Sequence, residues 1–176
     1  MSLSQSFSME FEKEIETTRR FLNNLPADQL DWKPHEKSLT AGQLALHIAS
    51  IPTFIIEFVS NDTFTVPDFS TSAPAQPESY QQIMQALDQS IEDFNNVLPT
   101  LTDDFLASHW AVVDDKENEL FSIPRAGAYR SLLFNHLYHH RGQLGVYLRL
   151  LGTTVPSCYG PSGDELPAWA PASAAN

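Results

Sequence analysis

Apolar residues recur along this chain at the three- and four-residue steps of amphipathic helices, in four separate stretches. Over residues 5–24 the stripe is Phe7, Phe11, Ile15, Phe21 and Leu22, with Thr18 on the same face and Glu and Lys between them. Pro26 pushes Leu25 out of the α region and ends that helix. After the loop PADQLDWKPHEKS, a second helix is predicted to open at Ser38 or Thr40, either of which can cap free N–H groups. It runs through LTAGQLALHIASIPTFIIEFV, with a kink or early break expected at Pro52. Residues 61–77, rich in Pro, Ser, Thr and Asp, read as a long loop. The third helix covers about 78–98, with Tyr80, Ile83, Met84, Leu87, Ile91, Phe94 and Leu98 on one face and Pro99 as its stop.

HWAVV and LFSIP, on either side of DDKENE, are β-prone and predict a short hairpin or an irregular insert near 107–123. Pro124 suits the first turn of a fourth helix, which continues through RAGAYRSLLFNHLYHHRGQLGVYLRLL to a stop at Gly152. The remaining tail is loop-like, with disorder expected over about 168–176. The sum is an all-α fold, a four-helix bundle in a single domain spanning 1–176, with the hairpin or irregular insert as its one departure.

Composition narrows the function. At 42% hydrophobic and 18% charged residues the chain is globular rather than disordered. Ten Lys+Arg against 22 Asp+Glu give a formal charge of −12, which repels a phosphate backbone and argues against nucleic-acid binding. The single Cys158 excludes an internal disulfide and a cysteine-rich metal site, and reads as an ordinary loop cysteine. No apolar run approaches the roughly 20 residues of a membrane span, and MSLSQSFSMEFEKE has no signal-peptide pattern. A cytoplasmic protein is expected.

The candidate chemistry lies in the histidines. His136, His139 and His140 share the fourth helix. At about 100° per residue from His136, the apolar positions Tyr129, Leu133, Leu137, Leu144, Tyr147 and Leu151 cluster between about +20° and +100°. His140 lies at about +40° and His139 at about −60°, nearer the polar edge. An inward i,i+4 pair of imidazoles can reach one ion, as in HExxH-type sites. Burying two neighbouring imidazoles is costly unless each finds a partner, and a shared metal supplies one. His47 is the third candidate, on the inward stripe Leu44, His47, Ile48, Ile51 and Ile55 of the second helix. The predicted metal ligands are His47, His136 and His140, with His139 as the alternative to His140. His35 and His109 are expected to be non-ligands. Such a set suits zinc, nickel or iron.

Several neighbours invite a role. Gln143, at about −20°, and Gln43, one turn before His47, could hydrogen-bond a ligand or a metal-bound water. Arg141, at about +140°, points away from the site and is expected to pair with an acidic side chain or a partner subunit. For Tyr129 and Tyr147 core packing is the default reading, and for Gly142 and Gly145 close packing explains a mid-helix glycine.

The run NHLYHHRGQL, together with LTAGQLALHIA and the tail VPSCYGPSGDE at 155–165, resembles the DinB/YfiT-like family of metal-dependent enzymes over nearly the whole chain. The resemblance implies a four-helix bundle that holds a divalent metal with one histidine of helix two and an H-x3-H pair of helix four, here His47, His136 and His140. It also implies a homodimer, with no DNA binding, and a likeness to thiol-dependent transferases such as the bacillithiol and mycothiol enzymes. The expected function is therefore a metal-dependent hydrolase or S-transferase acting on a small molecule, such as a low-molecular-weight thiol. The metal would lower the pKa of a bound water toward about 7 or bind a thiol as thiolate. A non-catalytic metal-binding or dimerisation module is the alternative. No residue is singled out as general base.

Overall fold

The computed structural model describes residues 1–68 and 74–171. Its frame is four long helical segments. Helix α1 spans Leu3–Asn23, α2 Ala41–Ser60 and α3 Tyr80–Val97, while the fourth segment is composite. That segment joins α5 (Arg125–Ala128), a π-helical stretch (Tyr129–Asn135) and α6 (His136–Leu150), with the short α4 (Asp103–Ala107) lying earlier in the chain. The expected stripes form one core: Phe7, Phe11 and Leu22 of α1, Leu44, Ile48 and Ile51 of α2, Ile83 and Leu87 of α3, and Leu133, Leu137 and Leu144 of the fourth segment are all buried. Helix α2 packs against both α3 and α6, and α1 closes the other side against the same pair.

Local chemistry sets the helix ends. Of the two candidate caps, Thr40 is the one used: its hydroxyl accepts from the Gln43 N–H while the Gln43 side chain accepts from the Thr40 N–H, a reciprocal box that fixes where α2 begins. Gly152 takes φ +75° at the far end of α6, a left-handed stop that glycine adopts without a Cβ clash.

Three expectations need correction. Helix α2 runs unbroken through Pro52, which is buried; packing on both sides outweighs the one backbone bond that proline forfeits. Residues 61–77 are not all loop, because Thr63–Thr65 form β1 and pair in parallel with β2 (His109–Val113). Residues 69–73 of that stretch, and 172–176 of the tail, lie outside the described residues. Pro99 ends α3 by way of a single 3₁₀ turn, Leu98–Thr100, after which α4 adds a helix that five residues are too few to announce. Helix α2 has the length and composition to cross a membrane, and half of it is buried inside the protein, as in a core helix.

The hairpin expectation holds: β2 and β3 (Glu119–Pro124) pair antiparallel, making a three-stranded sheet in the order β1-β2-β3. So the fold is helix-rich with a small sheet. Trp110 of β2 is fully buried and donates its indole N–H to the Phe58 carbonyl at 3.0 Å. Arg125 fastens the start of the fourth segment to the end of α2. Its guanidinium donates to the Val59 carbonyl at 3.1 Å, the His109 carbonyl at 2.9 Å and Asp62 at 2.6 Å. Those bonds tie the start of the fourth segment to the end of α2, and the histidines meet further along both elements.

Candidate metal centre

His47 stands near the middle of α2, and His136 is the first residue after the π-helical stretch. A π turn has a wider backbone than an α turn and recurs at functional sites. Here the His136 backbone N–H turns back to the Leu133 carbonyl. Across the helix pair, Nε2 of His47 and Nε2 of His136 face each other at 3.3 Å. His140 completes the group, its ring centroid 4.7 Å from that of His47 and 4.6 Å from that of His136. One nitrogen from each of the three lies within 4.8 Å of the other two.

All three rings are half-buried. This differs from the inward placement expected for the pair. The buried stripe of α6 is Leu137, Arg141, Leu144 and Leu148, centred at about +110° on the scale used above, so His136 and His140 sit at its edge where solvent still reaches. The protons follow from that placement. Burial, then the proximity of His140 and His136, pulls His47 down to about 4. Burial also lowers His136, opposed by the backbone of Leu132 and assisted by His139. For His140 burial is again the largest cause, opposed by Gln143 and assisted by His136 and His139. Neutral imidazoles are the metal-binding form, and burial shifts all three rings toward it.

The donor set fits a divalent ion. Two zinc–nitrogen bonds of about 2.0 Å at a tetrahedral angle span about 3.3 Å between nitrogens, the separation of His47 and His136. No carboxylate belongs to the cluster, which is all imidazole.

Of the neighbours singled out in the sequence, Gln143 does touch the site: its Oε1 lies 2.6 Å from Nδ1 of His140. Gln43 does not. Its two polar atoms are spent on the α2 cap and on the Pro74 carbonyl. His139 is exposed, with its ring 4.8 Å from that of His140 and outside the three-histidine group. His35 is exposed in its loop, accepting from the Lys37 N–H, and His109 is exposed at the start of β2. Tyr147 donates to the Leu39 carbonyl, and the Tyr129 hydroxyl has no partner among the described residues; burial pushes its pKa up to about 12.

Arg141 turns away from the histidines, as expected, and pairs with Glu14 at 2.6 Å. What sequence reading missed is the rest of that network. Glu14 sits among the buried positions of α1, Thr18 accepts from Arg141 at 3.2 Å, and the Tyr159 hydroxyl meets both Arg141 at 2.8 Å and Glu14 at 3.0 Å. The signal was present: Glu14 keeps the spacing of Phe7, Phe11 and Thr18, and Tyr159 lies in the family-like tail. Cys158 also lies near Arg141, a basic neighbour that the sequence did not disclose.

With this geometry in view, the sequence matches the DinB family over residues 1–170. The chain belongs to the DinB family. It is 29% identical to YrdA of Bacillus subtilis (strain 168) over 163 residues, 90% of this chain and 89% of that protein. A DinB-like protein of Bacillus cereus has a similar structure, with TM-score 0.69 and 24% identity over 88% of this chain and 97% of that one. The DinB-like YjoA of Bacillus subtilis gives TM-score 0.63 and 19% identity over 85% and 93% of the two chains. At these identities the structural likenesses speak for the fold, which is that of DinB proteins.

Proposed function

We propose that this DinB protein is a metal-dependent enzyme whose four long helices form a bundle holding one zinc, nickel or iron ion on His47, His136 and His140. The observation that carries the reading is the meeting of three imidazole nitrogens, from α2 and α6, within 4.8 Å of one another. Among the described residues no acidic side chain joins them to offset their burial, and a cation in their midst would do so.

Half-burial supports catalysis over a closed structural site. Three protein ligands leave coordination positions free, and these rings sit where a small molecule can reach. A divalent ion bound there supplies Lewis acidity, either for hydrolysis or for activating a low-molecular-weight thiol in S-transfer. The chain's own residues present the three nitrogens, favour their unprotonated form, and fasten the fourth segment to the end of α2 through Arg125. A homodimer in the cytoplasm completes the reading.

Metal analysis of purified wild type beside His136→Ala and His140→Ala tests it. About one ion per chain in wild type, and background content in both variants, is the expected result. Equal metal content in all three proteins overturns it. Turnover is then sought with thiols and electrophiles, and with hydrolysable esters and amides, before and after chelation.

A further inference from the structure

We infer that Gln143 is a positioning residue for the metal: its amide oxygen holds His140 in the Nδ1–H tautomer, so that Nε2 carries the lone pair offered to the ion. The inference rests on the metal reading of the three histidines and adds to it how one ligand is made ready.

The geometry is direct. Nδ1 of His140 and Oε1 of Gln143 are 2.6 Å apart, three residues along the same helix, which places the amide one turn beyond the imidazole and against its outer side. An amide oxygen only accepts, so the imidazole nitrogen facing it is the one that carries the proton. In a neutral imidazole the other nitrogen is then the acceptor, and the other nitrogen here is Nε2. Metal-bound histidines are commonly oriented by such an outer partner, and losing it typically costs 10- to 100-fold in metal affinity.

The position of Gln143 suits this role. It is exposed, so it contributes little to the core, and its side chain has been given no helix cap to build, unlike Gln43. The other two histidines are constrained differently. His47 projects from a helix packed on both sides, and His136 follows the π turn. His140 lies at the open edge beside the exposed His139, where an unrestrained ring could turn outward.

The opposite amide orientation makes a contrary prediction. With the Gln143 NH2 group donating to Nδ1, His140 would carry its proton on Nε2 and present no lone pair there.

Two measurements decide the matter. Long-range ¹H–¹⁵N correlation spectra of the metal-free protein at about pH 8, where an ordinary histidine is neutral, report the His140 tautomer. The expected result is Nδ1–H in wild type and in Gln143→Glu, which keeps an acceptor, and a mixture of tautomers in Gln143→Leu. An Nε2–H signal in wild type overturns the inference. Titration with zinc or cobalt(II) alone should then show Gln143→Leu weaker by about 10- to 100-fold, with Gln143→Glu restored to within a few-fold of wild type. Equal affinity in Gln143→Leu overturns the inference while leaving the three-histidine site intact. A wild type that binds neither ion overturns the metal reading instead, and the tautomer spectrum still judges Gln143.

Discussion

Two polar clusters begin at neighbouring positions of α6, His140 and Arg141, and they are built in opposite ways. Around Arg141 every strong group has a partner: the guanidinium meets Glu14, Thr18 and Tyr159, and the hydroxyl of Tyr159 closes the circuit on Glu14. Arg141 and Glu14 are both nearly fully buried, at 2% and 8% side-chain exposure. Around His140 three nitrogens face one another with no acid among them, half open to solvent. Charge that is matched and enclosed holds α1, α6 and the tail together. Donor atoms left unmatched at an accessible crossing of two helices are poised for a ligand.

The largest expected effect breaks the first cluster. Glu14→Ala leaves the Arg141 cation buried without its acid, and urea unfolding of the metal-free protein should show a loss of about 3–5 kcal/mol. His136→Ala removes a half-buried ring that has no charged partner, and should cost the metal-free protein about 1 kcal/mol or less. If the two variants lose equal stability, the division of labour between the clusters is wrong.

Acid sharpens the same contrast. The unfolded chain's histidines titrate near 6.5, whereas His47 is held down to about 4 and both His136 and His140 are lowered. Between those values the unfolded state binds protons that the native state refuses. Their contribution is therefore complete above about pH 6.5 and is lost as the pH falls toward 4. Urea midpoints of the metal-free protein should decline through this window, and the decline should be shallower in His47→Gln. The Arg141 guanidinium itself adds no slope there, because it stays charged.

The smallest effect concerns the two glycines that flank these clusters. A Cβ on Gly142 meets nothing within 4 Å, so Gly142→Ala should stabilise the helix by about 0.5–1 kcal/mol. A Cβ on Gly145 meets Phe21 of α1 at 3.2 Å, and Gly145→Ala should gain less or lose stability. Thermal unfolding of the pair reads the difference. Packing accounts for Gly145 alone, and nothing in the structure requires a glycine at 142.

Helical periodicity made much of this molecule legible. It placed the long helices to within a few residues, because each apolar stripe meets the core, and it placed His47, His136 and His140 near a common face. The hairpin could be read from β-branched and aromatic residues on either side of a charged turn. Strand β1 could not, since three residues pair with partners 48 positions later and carry no periodicity of their own. The π turn was equally silent: a fixed 100° step assumes an α-helix throughout, and it set the histidines deeper than they lie. Nor could spacing show that Tyr159 reaches back to α1, a contact across 145 positions.

The central claim is that a cation sits among His47, His136 and His140, and zinc-loaded crystals read at the zinc absorption edge test it most directly. The account predicts one anomalous peak about 2 Å from a nitrogen of each of the three rings. A peak bound by His139 in place of His140, a peak elsewhere on the surface, or none at all would contradict it.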